Sequence, residues 1–236
     1  MIEYIILVVL FIIALIFNIY AQYKVKSNYN KFRDVNINSN LTGAEVAKMI
    51  LEAGGLNTVA VTQIEGELTD NYNNKKKLVS LSSEVYSTAS VASAGIAAHE
   101  VGHALQYKDG YAPIKIRNFL VPVANFISNI CWPIIIIGFI FDLAFASGII
   151  GDVFLWIAIV FFALPVIIHA VTLPVEFDAS NRAKAILERS GICSAEEMQG
   201  VCKVLNSAAL TYVAALLTYI VQLLRILAIF ASRRRD

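Results

Sequence analysis

Residues 96–106 read Ile96-Ala97-Ala98-His99-Glu100-Val101-Gly102-His103-Ala104-Leu105-Gln106, an H-E-x-x-H pattern inside a helical run. Four residues of α-helix rise about 6 Å and turn slightly more than once, so His99 and His103 leave the same face. Two imidazoles can therefore grip one metal ion. Glu100 lies about a hundred degrees round the helix from His99, near enough to hydrogen-bond a water at the metal without being forced to ligate it. That is the position of a general base. Gly95, Ala97, Ala98, Val101, Ala104 and Leu105 surround the polar trio and predict a buried helix, where unpaired polar groups are costly. Two of the chain's three histidines sit in this motif, which weighs against a chance meeting of ordinary helix residues.

A hydrolytic zinc site needs a third protein ligand and one open position. The metzincin continuation H-E-x-x-H-x-x-G-x-x-H fails here, because Gln106 and Asp109 stand where its Gly and His would fall. The third ligand must come from elsewhere in the chain, most often as a carboxylate on another helix.

The 236 residues are 58% hydrophobic and only 16% charged, against about 25% charged in ordinary soluble domains. The composition predicts a membrane protein, and a net charge of +1 gives no reason to expect nucleic acid. Cys131, Cys193 and Cys202 form no C-x-x-C and read as reduced thiols in a cytosolic setting.

Residues 1–20 are expected to form an N-terminal membrane anchor: Tyr4 to Tyr20 is continuously apolar, with no basic start or A-x-A site to mark a cleaved signal. Lys24, Lys26, Lys31 and Arg33 follow, which puts the next segment inside and the N-terminus outside. Residues 21–118 are the larger soluble, catalytic part. Within it Thr42 and Glu45 form a capping box, Gly54-Gly55 ends that helix, and Ser87 or Ser90 caps the H-E-x-x-H helix. Asn57 to Ile64 and Lys77 to Ser82 are β-prone and flank a turn-rich Gly66 to Lys75, predicting a small sheet or hairpin. Such strands could hold an extended peptide at an exposed edge or simply cover the helix.

Residues 119–172 predict a transmembrane hairpin with spans over Phe119 to Phe141 and Ile150 to Thr172, joined by an outside loop free of Lys and Arg. Pro122, Pro133 and Pro165 are candidate kink sites. Two spans return the chain to the side it left, so residues 173–206 share a compartment with His99. Pro174 can start a helix there, with Glu176 and Asp178 in its first turn serving only its dipole. The topology favours more than that. Glu176 arrives at the membrane face just after one span, and His103 lies shortly before another, so Glu176 is the expected third ligand. Ser194 is expected to cap a short helix with Glu196 and Glu197 in its first turn. Residues 207–236 hold the last apolar run, Ala208 to Ala231, read as a span or membrane-associated helix. All Lys and Arg except Arg225, Arg233, Arg234 and Arg235 fall in the two inside segments. The expected fold class is a mainly α membrane protein, about four transmembrane helices with a gluzincin-like cytoplasmic catalytic domain.

Leu68-Thr69-Asp70, Leu81-Ser82 with Val85-Tyr86, the block from Ala97 to Gln106, the Leu-Pro-Val-Glu-Phe-Asp-Ala-Ser block at 173–180 and Ala209 to Ala215 together resemble the YugP-like neutral zinc metallopeptidases. The resemblance covers nearly the whole chain. It implies a bacterial, membrane-embedded peptidase, distantly similar to HtpX-type and CAAX prenyl proteases. It also implies zinc held by His99, His103 and Glu176, with Glu100 as base. Two departures stand out. Asp70-Asn71-Tyr72-Asn73-Asn74 replaces the family's frequent Asp-His-Tyr-Asp-Pro, and Ser180 stands where HtpX-type relatives carry an aspartate that steadies a zinc histidine. Asp178, two residues from Glu176, would face elsewhere, so support for the histidines stays unassigned.

The function expected is peptide hydrolysis by zinc-activated water, with one zinc ion and membrane-associated or misfolded proteins as substrates. The site is expected on the cytoplasmic face of a bacterial inner membrane. Arg182 and Tyr212 are candidate oxyanion donors, and His169, at the end of a span, is a candidate neighbour of the metal. The rival reading is a non-catalytic membrane protein that holds zinc for structure or sensing. A transporter fits poorly, because the spans carry few polar residues.

Overall fold

The computed structural model describes residues 2–127 and 148–233. Its helices are α1 (Ile2–Phe32), α2 (Gly43–Ala53), α3 (Ser83–Ser87), α4 (Val91–Lys108), α5 (residues 112–127), α6 (Gly148–Arg189) and α7 (Ala195–Arg233). The strands are β1 (Ala60–Ile64), β2 (Asn71–Asn73) and β3 (Leu78–Ser82). The chain divides into two compact units.

The first unit comprises Met1–Tyr20, Ile116–Leu173 and Tyr212–Asp236. Among the described residues three helices are long and apolar enough to cross a membrane: Ile5–Phe32, Trp156–Arg189 and Ala195–Ala228. Ile13, Ile16, Val160, Ile167 and Leu224 are exposed on them. In water each would be a liability; in lipid each is solvated, which suits these helices to a membrane. These match three of the four expected spans. The fourth, Phe119 to Phe141, falls largely outside the described residues, as do Pro133, Cys131 and most of the loop after it.

Two boundaries differ from the sequence expectation. Pro174 does not start a helix: α6 runs unbroken from Gly148 through Pro165 and Pro174 to Arg189. Proline removes one backbone donor, and a helix in lipid tolerates this when neighbouring groups serve the freed carbonyls. Ser194 caps no short helix either. Its hydroxyl accepts from the Glu197 N–H and the Glu197 carboxylate accepts from the Ser194 N–H, and α7 then continues to Arg233.

The second unit comprises Ala21–Lys115 and Pro174–Thr211. Its core joins Val46 and Ile50 of α2, Val79 and Leu81 of β3, and Ala97 and Val101 of α4, with Leu187 of α6 and Val201 of α7. Burying a side chain such as Leu187 completely contributes about 1.5–3 kcal/mol. The Thr42–Glu45 capping box starts α2, and Gly55 at φ 64 lets the chain leave it.

The sheet has the order β1-β3-β2. β1 pairs with β3 in parallel, Ala60 opposite Leu78 through Ile64 opposite Ser82, so the two β-prone stretches are not a hairpin with each other. The turn-rich segment between them contributes β2, which pairs antiparallel with β3. Asn73 Oδ1 accepts from the N–H groups of Lys75 and Lys76 and shapes that tight turn.

Candidate metal centre

α4 is fixed at its start before its histidines are reached. Ser90, fully buried, accepts the Ser93 N–H on its hydroxyl at 3.1 Å, and the Val91 N–H donates to Val35 O. Of the two expected caps Ser90 therefore does the work, while Ser87 donates back to Ser83 O within α3. The helix is buried on nearly every side, as its Ala- and Gly-rich sequence predicts. At Gly102 it meets α6 backbone to backbone, and that close approach brings residue 176 to the histidines.

Nε2 of His99 lies 3.3 Å and Nε2 of His103 lies 3.6 Å from Oε2 of Glu176. The two imidazole rings stand edge to face with centroids 4.7 Å apart. One donor atom from each of the three residues falls within 4.8 Å of the others, an arrangement that can hold a metal ion. Glu176 and His103 are buried, and His99 is partly open. Two neutral nitrogen donors and one carboxylate oxygen, with one side accessible, fit zinc with an open position.

Glu100 is buried beside them. Burial pushes its carboxyl above the ordinary range; the two imidazoles pull it down, and Asp70 and Glu176 push it up again. Burial pulls His103 toward its neutral form, but its hydrogen bond to Glu176 and the charge of Glu100 outweigh this and raise it. Metal and proton compete for that nitrogen, as in any histidine site.

Each histidine has a partner on its other nitrogen that sequence reasoning did not assign. Ser180 Oγ lies 3.2 Å from His99 Nδ1. Gln106 Oε1 lies 3.0 Å from His103 Nδ1. The available signal for both was helical spacing: Ser180 is four residues from Glu176 and Gln106 three from His103. Asp178, expected to face away, reaches the network through the Gln106 side-chain amide, whose Nε2 donates to Asp178 Oδ2 at 2.9 Å. Arg182 donates to Asp178 and to Asp109, so its guanidinium is held by two carboxylates. His169 and Tyr212 belong to the first unit. There His169 Nδ1 is 2.8 Å from Pro165 O and its ring lies against Tyr219.

The family described as "Putative neutral zinc metallopeptidase" matches residues 7–231. The chain belongs to this family. A curated relative of this chain, "Putative membrane protease YugP" of Bacillus subtilis (strain 168), is 41% identical over 225 residues, 95% of this chain and 96% of the relative. No solved structure matches this chain.

Proposed function

We propose that this metallopeptidase is a zinc-dependent membrane endopeptidase in which His99, His103 and Glu176 hold one zinc ion and Glu100 is the general base. The observation that carries the reading is the meeting of three donor atoms from two helices, with a buried, non-ligating carboxylate next to one of them. Zinc in such a site supplies Lewis acidity toward a water and a substrate carbonyl oxygen.

The chain's own groups do the rest. The Glu100 carboxylate accepts the proton of the attacking water and delivers it to the leaving amine nitrogen. Glu100 is itself only 7% exposed, so bulk water has little access to that proton.

Substrates that are themselves membrane-bound or misfolded fit the chain's layout, since Glu176 follows the apolar stretch of α6 by a few residues. The Lys and Arg distribution supports a site on the cytoplasmic face, and the Bacillus relative supports a bacterial cell membrane.

The test is zinc content and casein cleavage by detergent-purified wild type, Glu100→Gln and Glu176→Ala. The first variant should keep zinc and lose cleavage; the second should lose both. If Glu100→Gln cleaved as well as wild type, Glu100 would not be the base. If wild type held zinc and cut neither casein nor membrane substrates, the non-catalytic reading would replace this one.

A further inference from the structure

Gln106 is fully buried, and all of its side-chain amide is used. Nε2 lies 2.7 Å from Val175 O and 2.9 Å from Asp178 Oδ2, and Oε1 faces His103 Nδ1. A backbone carbonyl can only accept. Asp178 is kept an acceptor as well, because Oδ2 also takes the Arg182 Nε–H at 2.7 Å, and Arg182 is in turn paired with Asp109. Two acceptors on one side fix the NH2 of Gln106 toward them and leave only its oxygen for the histidine. Turning the amide over would set oxygen against two oxygens and NH2 against the ring.

We infer that Gln106 is a positioning residue that favours the His103 tautomer with its proton on Nδ1, leaving the Nε2 lone pair for the metal ion that it would share with Glu176 Oε2. The lock is set from α6, through Val175, Asp178 and Arg182. This rests on the proposed metal reading and assigns His103 as a ligand through Nε2 alone. His99 has no such lock: its Nδ1 faces the Ser180 hydroxyl, which can donate or accept. The two histidines are thus unequal, one fixed before the metal arrives and one adaptable. Partners of this kind typically contribute tenfold to hundredfold in metal affinity.

The experiment measures zinc affinity of the purified full chain by competition with a chromogenic chelator, for wild type, Gln106→Met and Gln106→Glu. Methionine fills the space with only a weak sulfur acceptor, whereas a protonated carboxyl, favoured by the two acceptors on its far side, offers His103 its carbonyl oxygen and donates its O–H to Val175 O or Asp178 Oδ2. The expected result is zinc binding about tenfold to hundredfold weaker in Gln106→Met and largely restored in Gln106→Glu, with the metal-free thermal midpoint of the methionine variant near that of wild type. Equal affinity in wild type and Gln106→Met removes the role of Gln106 while leaving the metal site standing. Equal weakening in both variants reduces it to packing. Wild type that binds no zinc overturns the metal reading itself. Should Gln106→Met not fold, selective 15N-histidine spectra of zinc-loaded wild type decide. A His103 Nδ1–H protected from exchange with water supports the lock, and a freely exchanging one overturns it.

Discussion

Gly102 and Ala179 touch backbone to backbone: a Cβ built on Gly102 would stand 2.7 Å from the Ala179 carbonyl oxygen. Neither atom can swing away, so any side chain at 102 must separate α4 from α6. His103 and Glu176 ride on those two helices. Gly102→Ala should destabilise by about 1–3 kcal/mol and weaken zinc retention as well. Gly95→Ala on the same helix meets Val201 at ordinary contact distance, its Cγ1 nearest at 3.4 Å, and alanine's better helix propensity should leave it near neutral. Thermal midpoints and zinc content of the two variants check the pair; equal behaviour would mean the helices adjust freely.

The cap at Ser90 is the anchor of the helix that carries His99 and His103. Ser90→Ala removes the acceptor for the Ser93 N–H and a hydroxyl pair with Ser93 Oγ at 2.9 Å, all buried. The expected cost is about 1 kcal/mol. Ser87→Ala, which touches no cap, should change the midpoint little.

Asp70 gives a pH dependence with a definite sign. Burial raises its carboxyl above the ordinary 3.8, against the downward pull of the Ser82 N–H and hydroxyl that donate to it. A carboxyl that holds its proton more tightly when folded gives the native chain the larger proton uptake between the unfolded and folded values. Stability therefore falls as pH rises through that window and is flat above it. Asp70→Asn removes this contribution, so midpoints of metal-free samples should shift in the variant's favour as pH climbs from near 3.8. A difference that is constant with pH, or that moves toward wild type, contradicts the shift.

Cys193 is 5% exposed, and burial, helped by Glu197, pushes its thiol up to about 11. At pH 8 roughly one molecule in a thousand carries the thiolate. Iodoacetamide should label the half-buried Cys202 well before Cys193, as peptide mass mapping would reveal. Comparable rates would place Cys193 nearer solvent.

His99 and His103 were legible because one helical turn is a local rule, and Thr42 with Glu45 was legible for the same reason. Glu176 was reached by counting crossings of the membrane and by family resemblance, both of which use information beyond spacing. The bond from Gln106 to Asp178 joins residues far apart in sequence and leaves no periodic trace. The small sheet was legible in its two β-prone stretches, but the alternatives of sheet and hairpin stayed open, because the parallel pairing of β1 with β3 depends on the short β2 that intervenes. Pro174 misled because proline's rule for helix starts was applied in a helix whose setting overrides it.

The second unit is assembled from two stretches of chain, Ala21–Lys115 and Pro174–Thr211, with Ile116–Leu173 assigned to the first unit. A ribosome adding 5–20 residues per second makes His99 roughly 4–15 s before Glu176. Through that interval the nascent polypeptide carries its base and two imidazoles but no third donor. On the proposed reading the site stays incomplete, and the chain unable to cut, until Glu176 has been made.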